Sequence, residues 1–319
     1  MSRYRSELPQ LSGEFFLTDA GLETDLIFNR GIDIREFAAH TLLPDSVGRT
    51  AVASYLRGFL ALANDCDAGL VLDSQTWKAH AHWAADLGAS PSQLEEANHD
   101  AIAFIAALRD EYSTNSKPIV LNGVIGPRGD AYAPEAALAA HEAEEYHSQQ
   151  VGWLAETEVD MITGLTFTQA DEAIGLIRAT RKAGLPVVIS FTVETDGRLP
   201  TGQMLGDAIC RVDDATNRGA AYFMLNCAHP EHFSPTLVNE EWSRRIRGLR
   251  CNASRLSHAE LDRCDYLDAG NPEELAGQYK AILSTMPWIN VFGGCCGTDL
   301  RHISRIAYAV QGQLRVDSA

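Results

Sequence analysis

The chain has no uninterrupted apolar run approaching the roughly eighteen residues that a membrane-spanning helix needs, so no such helix is expected. Its opening, MSRYRSELPQLSGEFF, lacks the apolar core and small-residue cleavage site of a secretory signal. Positive charge is scarce: 26 Lys and Arg face 43 Asp and Glu, a net charge of −17. Nucleic acids and anionic membranes both select for basic excess, so neither is an expected partner. An acidic surface favours cationic small molecules instead. Cysteine is too sparse for a disulfide framework, with an odd total of 7 in 319 residues, and reduced thiols in a cytoplasmic setting are expected. No Pro/Gly/Ser tract, repeat or low-complexity segment divides the chain, so residues 1–319 read as a single domain. No G-x-G-x-x-G follows the first apolar run, which argues against an open dinucleotide-binding sheet.

What is present is alternation. Short apolar runs predict strands at Glu14–Thr18, Gly69–Asp73, Ile119–Val124, Met161–Leu165, Val187–Phe191, Tyr222–Asn226, Ile246–Cys251 and Ile289–Phe292. Helical spacing separates them, as in Pro91–Arg109, Pro134–Glu156 and Gln169–Ala183. The arginine-bearing seventh run carries the weakest strand signal. Strands that alternate with helices pair in parallel, and eight such units close a (β/α)8 TIM barrel, an α/β fold. A barrel of that kind keeps its chemistry at the C-terminal strand ends. The residues expected just past those ends are Asp19, Ser74, Gly126, Thr166, Thr192, Cys227, Asn252 and the run from Gly293 to Cys296.

Gly293-Gly294-Cys295-Cys296-Gly297 is the sharpest motif, because flanking glycines free the backbone to aim two adjacent thiols at one point. Cys227 follows the sixth strand, and the barrel brings it to the same rim. Three thiolates make a soft set suited to Zn²⁺, with a fourth position open for a ligand, as in a catalytic site. Zinc in that setting lowers the pKa of an incoming thiol and favours alkyl transfer to sulfur over hydrolysis. Two other readings stand beside this one: a vicinal Cys295–Cys296 disulfide, or packed core thiols. Cys66, Cys210, Cys251 and Cys264 read as structural.

Further candidates are less distinctive. His80-Ala81-His82 mimics the H-x-H pair of metal-dependent hydrolases but reads as the start of a solvent-facing helix. Trp77 offers a π face to a sulfonium or ammonium donor, or packs as a lid. Glu194 is a donor-binding carboxylate or a polar turn. His229 and His232 follow Cys227 closely enough to contact the metal thiolates.

These motifs resemble the homocysteine S-methyltransferase family, whose members carry G-G-C-C after the last strand and N-C after the sixth. The likeness runs from about Glu14 to Gly312 and includes Ile125-Gly126-Pro127, Tyr146-His147, Gln150, Ile189-Ser190-Phe191 and Cys251-Asn252-Ala253. The resemblance implies zinc on Cys227, Cys295 and Cys296, which also form the catalytic set. It implies that Asp19 holds the amino group of an amino-acid thiol; a helix cap is its plainer role. Gly21 and Thr24 in the first turn, Gly126, and Asn226 beside the metal are implied pocket residues.

The chain departs from the family where Leu165-Thr166 replaces a Glu-Thr pair and where Thr76-Trp77-Lys78-Ala79 replaces Thr-Tyr-Gln-Ala. The expected activity is methyl transfer from S-methylmethionine, S-adenosylmethionine or betaine to a thiol such as homocysteine, giving a thioether such as methionine. A metal-dependent hydrolase and a catalytically silent zinc or thiol sensor are the rival readings. Acceptor, donor, resting fourth zinc ligand and assembly into a homo-oligomer are left open by the sequence.

Overall fold

The computed structural model describes residues 1–112, 117–131 and 138–316. Eight parallel strands close into a barrel in sequential order. They are β1 (Phe16–Leu17), β2 (Gly69–Asp73), β3 (Ile119–Ile125), β4 (Met161–Phe167), β5 (Val187–Phe191), β6 (Phe223–Asn226), β7 (Ile246–Cys251) and β8 (Val291–Gly294). The seam between first and last strands pairs Phe16 with Val291 and Leu17 with Phe292. The TIM barrel expected from the alternation is the fold observed.

After each strand the chain returns through a helix: α1 (Ser46–Asp65), α2 (Pro91–Glu111), α3 (Ala140–Ala155), α4 (Ala170–Lys182), α5 (Leu205–Thr216), α6 (Pro230–Phe233), α7 (Pro272–Thr285) and α8 (Leu300–Val316). Local chemistry sets several starts. The Asp45 side chain accepts from Gly48 N at α1, and Ser90 forms a reciprocal cap with Gln93 at α2. The helix expected over Pro134–Glu156 begins at Ala140, and residues 132–137 lie outside the described residues. None of the helices described is long and apolar enough to cross a membrane.

The two-residue period of the strands sorts the barrel interior into layers. Phe16, Val71, Val120, Met161, Val188, Met224 and Val291 pack together as one apolar layer, with Leu8 of the N-terminal segment against it. Each of the larger side chains buried there contributes about 1.5–3 kcal/mol. Two residues further along each strand stand Thr18, Asp73, Asn122, Thr163, Ser190, Asn226, Arg250 and Gly293. Seven of these eight are polar, so the barrel is oily below and hydrogen-bonded above. The upper layer is the floor of the site.

Two boundaries differ usefully from expectation. β8 ends two residues later than its apolar run, so the glycine pair lies inside the strand and Cys295 is first beyond it. β4 runs on to Phe167 with its register shifting between Gly164 and Phe167. In that bulge Thr166 takes φ +66°, a conformation uncommon for a residue with a side chain.

Candidate active site

A cavity of about 240 Å³ opens at the C-terminal end of the barrel. Its walls come from the loop after β1, the loop after β2, the β4 bulge and the ends of β6, β7 and β8. Cys227, Cys295 and Cys296 lie together on this cavity, their sulfurs all within 4.8 Å of one another. Residues 68 and 69 positions apart in the chain therefore meet because β6 and β8 both end at this rim.

The expectation of seven reduced thiols needs correction. Cys227 and Cys295 are joined as a disulfide, with Cα atoms 5.4 Å apart. The vicinal alternative between Cys295 and Cys296 is not the pairing found. Physically, two strand ends that converge on one rim bring the two sulfurs within bonding reach. A sulfur in a disulfide is no longer a thiolate donor, so metal binding and this pairing are mutually exclusive. Cys251 faces outward instead, its backbone N–H donating to Tyr279 Oη at 2.7 Å, and burial pushes its thiol up to about 12. Cys66 is buried, while Cys210 is exposed and Cys264 half-buried; neither Cys251 nor these three lines the cavity.

Neighbouring groups hold the sulfurs in place. Thr166 Oγ1 lies 3.9 Å from Cys227 Sγ, and Asn226 Nδ2 lies 3.9 Å from Cys295 Sγ. Asn226 sits behind the cavity wall: its Oδ1 accepts from Thr166 N at 3.0 Å and Ser190 Oγ at 2.6 Å, and its Nδ2 donates to Thr166 Oγ1 at 2.7 Å. These bonds fix the strained Thr166. Cys227 is strained as well, at φ +54°, and the His258 ring meets its carbonyl at 2.7 Å.

The loop after β1 presses directly on the cysteine pair. A Cβ on Gly21 would sit 2.6 Å from the Cys295 carbonyl oxygen, so only glycine fits. Thr24 Oγ1 accepts from Gly297 N at 3.2 Å and donates to Gly21 O at 3.0 Å. Gly126 lies behind Trp77, where a Cβ would meet the Trp77 carbonyl at 2.6 Å. Trp77 lines the cavity, and its indole N–H donates to Leu165 O at 2.9 Å.

The floor is an ion triad that sequence reasoning missed. The Arg250 guanidinium bridges Asp19 and Asp73, and its Nε donates to Gly294 O at 3.2 Å. Asn122 Nδ2 completes the arrangement by donating to Asp73 Oδ1 at 2.7 Å. Asp19 is pushed up to about 7: burial raises it most, Arg250 opposes, and Asp73 and Glu23 add to the rise. Asp19 therefore faces the cavity as expected, but its carboxylate is already held by an internal cation. The signal for Arg250 was present, since a charged residue two places beyond Gly248 on a barrel strand must point inward or be misplaced.

Other expectations move. Glu194 does not line the cavity. Its backbone closes the turn after β5, and its carboxylate turns outward to the His258 ring at 3.2 Å. His80 is buried rather than solvent-facing, bonded through Nδ1 to Tyr146 Oη at 2.5 Å, because residues 80–83 tuck under the α3 helix. Neither His80 nor His82 lines the cavity, so the histidine ligands of the hydrolase reading are not at this site. His229 caps α6 and His232 meets Arg255 O at 2.9 Å, so both have partners other than the sulfurs. Lys78 reaches the cavity mouth, its ammonium 3.7 Å from the Trp83 ring centre and 5.7 Å from that of Trp77.

Fold and site together define a parallel (β/α)8 barrel with three clustered cysteine sulfurs at the C-terminal rim of its strands. The homocysteine S-methyltransferase family model matches residues 16–310, and the chain belongs to that family of methyl-transferring enzymes. Methionine synthase of Mycobacterium leprae (strain TN) is 30% identical over 142 residues, which make up 43% of this chain and 11% of the relative. The Mycobacterium tuberculosis (strain ATCC 25618 / H37Rv) methionine synthase is 31% identical with the same coverage, so the chain spans about a tenth of these relatives' length. Among solved structures, the homocysteine methyltransferase MmuM from Escherichia coli matches in its oxidized form with TM-score 0.70 and 15% identity over 92% of this chain and 95% of that one. Its metallated form matches with TM-score 0.68 and 15% identity over 92% and 96%. At that identity the likeness shows a shared fold.

Proposed function

We propose that this protein transfers a methyl group from a small sulfonium or ammonium donor to a thiol acceptor, with a zinc ion held by Cys227, Cys295 and Cys296. The observation that carries the reading is the convergence of three sulfurs, all within 4.8 Å of one another, on a cavity at the C-terminal rim. The donor set fits the ion: three soft sulfurs on rigid strand ends, with the cavity as the open side for one further ligand. When bound, zinc would lower the pKa of the acceptor thiol and keep it ionised near neutral pH.

The chain's own residues then perform positioning. Thr166 and Asn226 approach the cysteine sulfurs with polar groups that offset thiolate charge. The Asp19–Arg250–Asp73 triad gives the cavity a polar, pre-paired floor that does not need solvent. Trp77 presents its ring to the donor, and alignment of donor carbon with acceptor sulfur supplies most of the acceleration. In the balanced step an S–C bond forms as the donor S–C or N–C bond breaks. The donor leaves as a neutral thioether or amine, and the thiol proton goes to solvent. Homocysteine as acceptor, with methionine as product, is the reading that family membership favours.

Reduced protein loaded with zinc, offered a panel of thiols with S-methylmethionine, S-adenosylmethionine and betaine in turn, should yield a thioether one CH₂ heavier than its thiol. Cysteine-to-serine replacement at all three positions should abolish both metal retention and transfer. Undiminished zinc in that triple variant would overturn the reading. Zinc retained by the wild type, but with no transfer from any donor to any thiol, would leave only the sensor alternative.

A further inference from the structure

Not every charge that lines the cavity is held in the ion triad of its floor. Arg250's donors are taken by Asp19, Asp73 and the Gly294 carbonyl. Lys78 donates to the Glu36 carbonyl at 2.8 Å and lies over Trp83. Glu23 lines the same cavity, two residues beyond the glycine that touches the Cys295 carbonyl. Its carboxylate meets its own backbone amide, and among the described residues no side chain forms an ion pair with it. Arg250 and Lys78 are near enough to favour its charge, yet burial outweighs them and raises its pKa. A half-buried carboxylate left in this state is stabilised by any cation that enters.

We propose that Glu23 is the specificity-determining residue of the acceptor site, receiving the ammonium of a thiol whose sulfur meets the three cysteines. The inference rests on the methyl-transfer reading above. It assigns to the loop after β1 the recognition that Asp19 cannot supply directly while Arg250 holds its carboxylate. Of the other carboxylates lining the cavity, Asp19 and Asp73 both face the guanidinium, while Asp130 and Asp262 come from the segments after β3 and β7 rather than from the loop that presses on the cysteine pair. A ligand with sulfur at one end and ammonium at the other would satisfy the metal wall and Glu23 at once.

The test compares homocysteine with 4-mercaptobutanoate, which lacks only the amino group, by calorimetry on the reduced, zinc-loaded full chain. Wild type should bind homocysteine about ten- to hundredfold more tightly, the range of a charge-assisted hydrogen bond. Glu23→Gln should bring the two affinities together by weakening homocysteine alone, and Glu23→Asp should retain most of the preference. Equal weakening of both thiols, or an unchanged ratio in Glu23→Gln, overturns the assignment while leaving thiol binding intact. If zinc-loaded wild type binds neither thiol, the acceptor reading itself falls and takes this role with it.

Discussion

Replacing Arg250 with methionine removes the guanidinium that bridges Asp19 and Asp73 while keeping a long, unbranched side chain in the barrel mouth. The side chains involved are only 7% and 8% exposed, so the two carboxylates would be left buried and uncompensated. Breaking a buried pair by removing one partner costs about 3–5 kcal/mol. Protonation offers relief, and this gives the deficit its pH dependence. Asp19 already sits near pKa 7 in the fold against 3.8 ordinarily. A carboxyl raised by folding contributes stability that is fully present below its unfolded value and lost as pH rises through its folded one. Without Arg250 this loss deepens at Asp19, and Asp73 meets the same loss of its counter-ion. The deficit against wild type should therefore be small near pH 5 and approach about 3–5 kcal/mol near pH 8, with a slope of up to about 1.4 kcal/mol per pH unit for each proton. Urea unfolding under reductant at about pH 5, 6.5 and 8 measures it. A deficit below about 1 kcal/mol near pH 8, or one that does not change with pH, would refute the argument from buried charge. Asp19→Asn added to Arg250→Met should recover part of the loss near pH 8.

Three further outcomes are expected. Asn226→Ala leaves the Thr166 N–H and Ser190 hydroxyl without their acceptor, which should cost about 1–3 kcal/mol and reduce zinc retention by releasing Thr166 from Cys227; normal values of both in thermal and metal assays would contradict this. Metal-free, air-oxidised protein unfolded in urea should titrate fewer thiols than the 7 found after reduction, and only the reduced form should take up zinc. Seven thiols before reduction would count against the Cys227–Cys295 pairing. Lys78→Met withdraws an internal cation from the Trp83 and Trp77 rings, so KM for a cationic donor should fall by about 2–30-fold; an unchanged KM would show that donors do not use these rings.

Much of the barrel was legible from local pattern alone. Runs such as Gly69–Asp73, Val187–Phe191 and Ile246–Cys251 coincide with observed strands, because a strand buried on both faces must be apolar along most of its length. The cysteine motifs were legible for a different reason: paired thiols between glycines have few structural uses, and their place after β8 assigned them to the rim. Asp19, Gly21, Thr24 and Trp77 line the cavity, which follows from their positions after β1 and β2. Reading mainly past the strand ends, however, overlooked inward residues within the strands such as Arg250 and Asn122. Arg250, taken as a reason to doubt β7, is the floor of the site.

Sequence by itself determined the fold class, the sulfur set and the rim on which it sits, since these follow from periodicity, glycine placement and chain order. Tertiary structure alone decided how charges pair. Asp19 and Arg250 lie 231 positions apart, and Asp73 and Arg250 177, so no local pattern announces their contact. Closure of the barrel puts them in one buried layer, where electrostatic energies are large enough to settle which carboxylates are held by the guanidinium and which, like Glu23, face the cavity with no ion pair among the described residues.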